Sequence, residues 1–517
     1  MESDVFGREH VAVWTAAQAA ALDREAHERH GVPERVLMEN AGRSAALLLE
    51  RLYPRGRVIA AVGSGHNGGD ALVLLRTLRS WGRDIACVFT GSREPDSALA
   101  HGHEVPAVSF DEMASAFTGA GVLVDGILGT GASGAPRGRA AEAIRALNAS
   151  GRPVVALDLP TGLDSTTGQL PGDVVLAELT VTFGWPKLGL VLEPGRSVCG
   201  RIVAVEIGFP PLEVEHTPPA ELLTPNWATA RLPRRAPSAH KASVGRLAVV
   251  AGSRGMAGAA IVATEAALRA GAGYVHLISA EANRAILQGA VPEAVYVDAA
   301  DDAGVRAAVG AADALLVGPG LGRDDVAREL LDRVLGAAPG TPTLLDADAL
   351  TLLSGNPARL EEVARERPLV LTPHPGEMAR LTGRQTTEIV AAPLDAAREL
   401  AERLCCTVLL KGAPSIVAAP GEPALISTLH SSDLATAGMG DQLAGTIGAF
   451  LAAGAGAREA AGLGMYYGGR AAILAGRGRS LGPRDVSAYL DRALADPGPL
   501  SPPLAFPFIT FDQPPRW

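Results

Sequence analysis

A chain of 517 residues is long enough for two or more domains. With aromatic residues at 4% and 60 glycines, its cores must be built from Ala, Val and Leu, with many tight turns and close helix–strand contacts. A net charge of −10 argues against a general nucleic-acid or membrane-surface binder, so an anionic substrate has to be held by local N–H groups and single cations. The four cysteines, Cys87, Cys199, Cys405 and Cys406, have neither metal-ligand spacing nor a disulfide pattern. Met1-Glu2-Ser3-Asp4 carries no basic or apolar leader, and no apolar run reaches the roughly 18 residues of a membrane span. A soluble protein of the cytoplasm is expected.

In chain order, residues 14–30 carry apolar positions at helical spacing, and Glu39-Asn40-Ala41-Gly42 sits near the start of a second helix. Residues 57–62 read as a buried strand that runs into Gly63-Ser64-Gly65-His66-Asn67-Gly68-Gly69-Asp70, with a helix from Ala71. Strand, glycine loop and helix form the phosphate-binding arrangement of open α/β sheets, although the spacing is not that of a dinucleotide fingerprint and no P-loop lysine follows. Further strands are predicted over residues 85–89, 122–125 and 154–158. The last two end in polar glycine loops, Gly126 to Gly134 and Leu159-Pro160-Thr161-Gly162. Helices between such strands make a doubly wound parallel sheet with its site at the carboxyl edge. Asp125 and Asp158 each close a strand, where a carboxylate either faces a ligand or caps the following turn.

The Pro-rich stretch from Phe209 to Pro237 is the expected domain boundary. A second α/β pattern follows it. Strands are predicted over residues 247–250, 275–278, 314–317, 343–346, 369–371 and 407–410, with an Ala-rich helix over 258–271. Their glycine loops include Gly252 and Gly318-Pro319-Gly320-Leu321-Gly322. Asp346 and Asp348 flank a helix start, and one of them is expected to be its N-cap. His374 lies between two prolines in a fixed turn that would aim its ring into a cleft. Residues 497–517 look like an irregular tail.

The densest chemistry lies at Thr436-Ala437-Gly438-Met439-Gly440-Asp441, ahead of an apolar run that reads as a buried helix. Glycines at a helix N-terminus expose N–H groups and the positive end of the dipole to phosphate. Asp441 in the same turn is expected to be kept ionised and to serve as a base. Capping alone would explain the pattern equally well. Lys411, with Gly412 and Ser415 beside it, adds a cation at a strand end. Phosphate cradle, neutralising cation and base are the parts needed for transfer from an adenine nucleotide to a hydroxyl.

With these motifs in order, residues 10 to 495 resemble the bifunctional NAD(P)H-hydrate repair family, an epimerase domain fused to an ADP- or ATP-dependent dehydratase. Gly65-His66-Asn67-Gly68-Gly69-Asp70 is similar to the family's GNNGGD, with His66 in place of the first Asn. Val124-Asp125 with Gly129-Thr130-Gly131, Asp158-Leu159-Pro160-Thr161-Gly162, and Thr182-Phe183 with Pro186-Lys187 match its further first-domain motifs. Gly318 to Gly322, Leu345 to Leu350, Thr372-Pro373-His374-Pro375-Gly376-Glu377, Lys411-Gly412-Ala413 and Gly440 to Gly445 match those of the second.

The resemblance implies a Rossmann-like epimerase over 10–212, a linker over 213–237, a ribokinase-like dehydratase over 238–496 and a tail over 497–517. It implies potassium on Asn67, Asp125 and Thr161. The hydrate would lie on His66, Asn67, Gly68, Gly69 and Asp70, on Gly129, Thr130, Gly131, Ala132, Ser133, Gly134 and Ala135, and on a catalytic Asp158. In the second domain the hydrate would meet Ala259, Gly320, Gly322, His374 and the catalytic Asp441. The adenine nucleotide (ADP or ATP), with magnesium, would meet Lys411, Gly412, Ala413, Pro414, Ser415 and Gly440. A homo-oligomer is expected. Met439, Gln442 and Thr161 depart from the family pattern; Met439 lacks a hydroxyl that could touch phosphate. Two other functions fit single motifs: a kinase of a small hydroxylated vitamin or sugar, since ribokinase-like proteins share the G-x-G-D helix start, and a non-catalytic nucleotide-binding scaffold. Against them stand the epimerase-like half, the TPHPGE loop and retention of Asn67, Asp125, Asp158, Lys411 and Asp441.

Overall fold

Short runs of Val, Ile, Leu and Ala fold into strands, most of them buried on both faces. The computed structural model describes residues 11–91, 97–100, 102–212, 216–241, 243–429, 431–496 and 508–510. The chain divides into two units, residues 1–222 with 499–517, and residues 223–498.

In the first unit, β1 (Ala12–Val13) precedes α1 (Ala16–Glu28) and α2 (Glu34–Leu52), then β2 (Val58–Val62) and α3 (His66–Ser80). Next come β3 (Ile85–Phe89), β4 (Val122–Gly126), β5 (Val154–Leu157), β6 (Leu179–Phe183), β7 (Arg201–Val205) and β8 (Ala220–Leu222). The main sheet runs β7-β6-β5-β4-β2-β3, all parallel. Val58, Ala60 and Val62 face a core that includes Leu49, Leu74 and Leu78. Ile59 and Ala61 face the opposite core with Phe117, Ile144 and Leu147. Burial on both faces is why these strands read as continuous apolar runs and not as alternating ones. Because β3 and β4 lie on opposite sides of β2, the loops after β2 and β4 part and leave a crevice.

In the second unit, β9 (Arg246–Val250), β10 (Tyr274–Ser279), β11 (Val295–Asp298), β12 (Ala314–Val317), β13 (Thr343–Leu345), β14 (Leu369–Leu371) and β15 (Thr407–Leu410) are parallel. β16 (Ile416–Ala418) and β17 (Ala424–Ile426) add antiparallel strands beside β15. β10 and β12 flank β9, so the order reverses there and the loops at Gly252 and Gly318 mark the second crevice. Both halves are therefore the expected α/β folds.

Several boundaries differ from expectation. α3 begins at His66 and not at Ala71, so Asn67 to Asp70 lie within the helix. The second helix begins at Glu34, after Pro33 at its N-cap, placing Glu39 to Gly42 beyond its first turn. β6, β7, β11 and the β16–β17 hairpin were not predicted as strands. The predicted linker holds β8 and a helix, Pro225–Arg231, whose N-cap Thr224 accepts from Trp227 N–H and whose Trp227 is buried; residues 213–215 lie outside the described residues. The tail is not wholly irregular: β18 (Phe508–Thr510) pairs antiparallel with β7, while the rest of 497–517 lies outside the described residues.

Candidate active sites

The first crevice is set by contacts too close for side chains. A Cβ on Gly68 would lie 1.9 Å from the Gly63 carbonyl oxygen, which lets α3 start directly against β2. That start buries Asn67, whose Nδ2 donates to the Leu128 carbonyl at 3.0 Å while Oδ1 is buried without a hydrogen-bond partner. Asp125, inside the end of β4, accepts from the Ile127 N–H at 3.2 Å, the Thr161 N–H at 2.8 Å and the Thr161 hydroxyl at 2.7 Å. Burial nevertheless pushes this carboxyl up to about 6. The Thr161 hydroxyl also accepts from the Leu128 N–H at 3.0 Å. Neither Asp125 nor Asp158 is the last residue of its strand. Asp158 stands one residue past β5 in the left-handed region, with φ 62°.

Asp158 receives Lys187 Nζ on Oδ1 at 2.5 Å. The same ammonium reaches the Phe183 carbonyl at 2.9 Å and the Thr182 hydroxyl at 3.3 Å, and Lys187 is buried. Its backbone is fixed from both sides, by Trp14 N–H donating to the Pro186 carbonyl and Leu188 N–H donating to the Trp14 carbonyl. A cleft of about 760 Å³ opens over these groups, lined among others by His66, Asn67, Asp70, Gly129, Asp158 and Lys187. That size suits a large ligand. Thr130, Gly131 and Ala132 also border it. Ser133 and Gly134 line a smaller cavity with Leu159 and Gly162, and Ala135 packs beside Gly172. Gly68 and Gly69 do not border the cleft: they pack on the Gly63 carbonyl and the Met38 side chain.

In the second unit, Gly318 adopts φ 132°, and a Cβ there would lie 1.8 Å from the Asp346 carbonyl oxygen. This brings the Gly318–Gly322 loop onto the end of β13. Ser253 N–H donates to the Gly320 carbonyl at 2.6 Å, and Ala259 lies against Gly320. Gly322 N–H donates to Asp348 at 3.0 Å, and Arg323 donates to the other oxygen of the same carboxylate at 2.7 Å. Neither Asp346 nor Asp348 is an N-cap; that position is Ala347, and no side chain caps the helix. Asp346, almost fully buried, accepts from Lys411 Nζ at 2.7 Å and from the Thr372 hydroxyl at 2.8 Å.

Lys411 also lies 3.9 Å from the buried carboxylate of Glu377. Against its burial, the Asp346 and Glu377 charges hold the ammonium above its ordinary value. Gly440 faces this pair: a Cβ there would sit 3.4 Å from Lys411 Nζ and 3.9 Å from Asp346 Oδ2. The helix Met439–Ala452 begins here, with Gly438 as N-cap at φ 86°. Asp441 is not kept ionised as expected. Burial, then the neighbouring charges of Asp346 and Asp348, raise it to about 7 against the opposing pull of Lys411. A carboxyl near 7 is poised to take a proton at neutral pH.

The remaining expected groups are placed as follows. His374 caps its own helix, its Nδ1 accepting from the Gly376 and Glu377 N–H groups, and its Nε2 edge lies 3.4 Å from Glu377. Gly412 and Ser415 close a turn after β15, with Gly412 N–H donating to the Ser415 hydroxyl at 3.2 Å; Ala413 is exposed and Pro414 buried. Gln442 is buried and donates to the Thr446 hydroxyl at 3.0 Å, so it points into helix packing and away from the crevice. Met439 is only half-buried at the helix start, outside the core. Lys187, Thr372 and Glu377 were missed as site groups. Each had been quoted within a motif, but the charge partner that gives it a role lies 29, 26 and 34 residues away.

No group of three or more His, Cys, Asp or Glu side chains able to hold a metal occurs among the described residues, and no described helix is long and apolar enough to cross a membrane.

Two family profiles match the chain: NAD(P)H-hydrate dehydratase over residues 247–492, and YjeF-related protein N-terminus over residues 34–189. The bifunctional NAD(P)H-hydrate repair enzyme Nnr of Moorella thermoacetica is 37% identical over 503 residues, covering 90% of this chain and 92% of that one. The enzyme of the same description from Escherichia coli is 34% identical over 476 residues, covering 90% of each. Among solved structures, the ADP/ATP-dependent NAD(P)H-hydrate dehydratase of Bacillus subtilis, co-crystallised with ATP and Mg2+, is 28% identical, with a TM-score of 0.46, over 55% of this chain and 99% of that one.

Proposed function

The chain belongs to the bifunctional NAD(P)H-hydrate repair enzymes, and from that premise we propose how its residues divide the work. The first unit epimerises the R and S forms of hydrated NADH and NADPH. The second dehydrates the S form at the expense of an adenine nucleotide and returns the reduced cofactor.

In the second unit Asp441 takes the proton of the ring hydroxyl, and the freed oxygen attacks the terminal phosphoryl group of the nucleotide. Lys411 and the N–H groups at Gly440 hold the phosphates as the bond to the remaining nucleotide breaks. The phosphate ester then leaves the ring carbon as a proton is lost from the adjacent carbon, restoring the ring double bond. The observation that carries this reading is the juxtaposition of Asp441, Lys411 and Gly440 around Asp346. Magnesium fits as the nucleotide's own counter-ion: Asp346 Oδ2 faces Gly440, and such ions bind through one or two carboxylates plus substrate phosphates.

In the first unit Asp158, steered by Lys187, contacts the hydrate. Potassium fits on Asn67, Asp125 and Thr161. The buried Asn67 Oδ1 lacks a partner, and all three residues offer oxygen, the donor a hard cation takes. Bound there, it would supply a fixed positive charge.

Asp441→Asn in the full chain is the test. Dehydration of the S hydrate should fall at least about 100-fold, the size of a general-base contribution, while epimerisation is unchanged. Equal loss of both activities, or neither, would refute the assignment.

A further inference from the structure

The epimerase cleft holds a carboxyl group with no use in the arrangement above. Asp70, in the first half of α3, is 8% exposed and lines the cleft, yet its side chain makes no hydrogen bond or ion pair with any described residue. The charged groups facing it are Asp158 after β5, Asp23 on α1, Lys187 after β6 and Glu34 at the start of α2. His66, on its own helix, is turned to Glu34 at 2.8 Å. Lys187, the one lysine or arginine in this set, is taken by Asp158, Thr182 and the Phe183 carbonyl. Burial first, and then the charges of Asp158 and Asp23, therefore hold Asp70 protonated well above the usual carboxylate range.

The substrate needs such a group. Hydration of a dihydronicotinamide adds a proton to the outer carbon of its enamine and hydroxide to the carbon beside the ring nitrogen. Inverting that carbon requires the hydroxyl to leave and water to return on the opposite face. We propose that Asp70 is the proton donor that expels this hydroxyl, with Asp158 taking the proton of the water that adds to the other face.

The Asp70 O–H protonates the hydroxyl, the C–O bond breaks, and the nitrogen lone pair forms a C=N bond as water departs. A second water adds from the opposite side, the C=N electrons return to nitrogen, and Asp158 accepts the released proton. Solvent in the open cleft carries that proton back to Asp70, so the cycle closes without net change of protons or electrons. Asp70, kept protonated by its burial, and Asp158, oriented by Lys187, line one cleft as an acid and a base. The inference rests on the epimerase reading of this unit and adds to it the identity of the acid.

The test uses the full chain with pure R hydrate and no nucleotide, epimers being separated by chromatography. Asp70→Asn should lower kcat at least about 100-fold with KM little changed, the size expected of a lost general acid. It should also remove the alkaline limb of the wild-type pH profile and leave nucleotide-dependent dehydration of the S hydrate intact. Asp70→Glu should recover part of the rate. A near-wild-type kcat in Asp70→Asn, or a loss carried by KM with the alkaline limb retained, overturns the proposal. If Asp70→Asn does not fold, wild type alone decides: a fall in kcat toward high pH supports the acid, and a flat kcat from about pH 6 to 10, where an ordinary carboxyl is fully ionised, overturns it. A wild-type chain that does not epimerise at all would instead overturn the epimerase reading itself.

Discussion

Asp441 stands where stability and chemistry oppose each other. Its carboxyl is raised from 3.8 to about 7, so the folded state binds this proton more tightly than the unfolded chain does. Its contribution to stability is therefore present at low pH and is lost as pH rises between those two values. Asp441→Asn, which cannot ionise, should melt at a higher temperature than wild type at pH 8, with the gap closing toward pH 4 in thermal scans. Because the proposed base must be ionised, wild-type dehydration kcat/KM should rise with pH through about 7. A profile flat across that range would contradict the role. A second residue-scale expectation concerns Asn67. Potassium chloride should raise the melting temperature of the first unit relative to choline chloride, as any ligand of the native state does. Asn67→Leu, lacking the orphaned Oδ1, should abolish that difference. Single residues such as Asp441, Asn67 and Lys411 were legible in the sequence because each stands beside glycine or at a strand end. Their protonation and partners were not: the Asp346–Lys411 pair spans 65 residues, and only the fold brings it together.

At the scale of elements, both sites sit where a parallel sheet reverses its strand order; the apolar strands with glycine loops made a carboxyl-edge site legible in the first half, while the strand order itself is set by long-range pairing. Starts of helices were harder to place. Gly68 and Gly69 read as loop formers, yet they belong to α3, since close approach to the Gly63 carbonyl demands glycine as much as a turn does. Gly445 was legible as part of the helix Met439–Ala452, but its packing partner was not. A Cβ there would lie 2.1 Å from the Ala263 carbonyl oxygen, so this helix and Ala257–Ala270 touch backbone to backbone. Gly445→Val should destabilise the second unit by about 2 kcal/mol or more, as overpacking of a tight core does. Dehydration should be lost on mild heating while epimerisation survives, followed by residual activity after incubation. Equal heat resistance of variant and wild type would mean that the helices separate at little cost.

For the whole molecule, two α/β units carry two reactions on one damaged cofactor, in a chain whose net charge of −10 gives no general attraction for an anion. On the proposed reading, binding of the nucleotide rests on local groups, Lys411 and the start of the helix Met439–Ala452. If the S hydrate leaves one site and enters the other through solution, full-length Asp441→Asn and Asp158→Asn chains mixed together should repair both epimers. Either variant alone should stall, on dehydration or on the R form respectively. The most direct measurement is the fate of a mixture of R and S hydrates incubated with wild-type chain and ADP, ATP or no nucleotide, resolved by chromatography. Both epimers should disappear into reduced cofactor only when nucleotide is present, with one phosphoryl group consumed per molecule restored; without nucleotide they should merely interconvert. Restoration without nucleotide, or nucleotide consumption that leaves both hydrates untouched, would contradict the account.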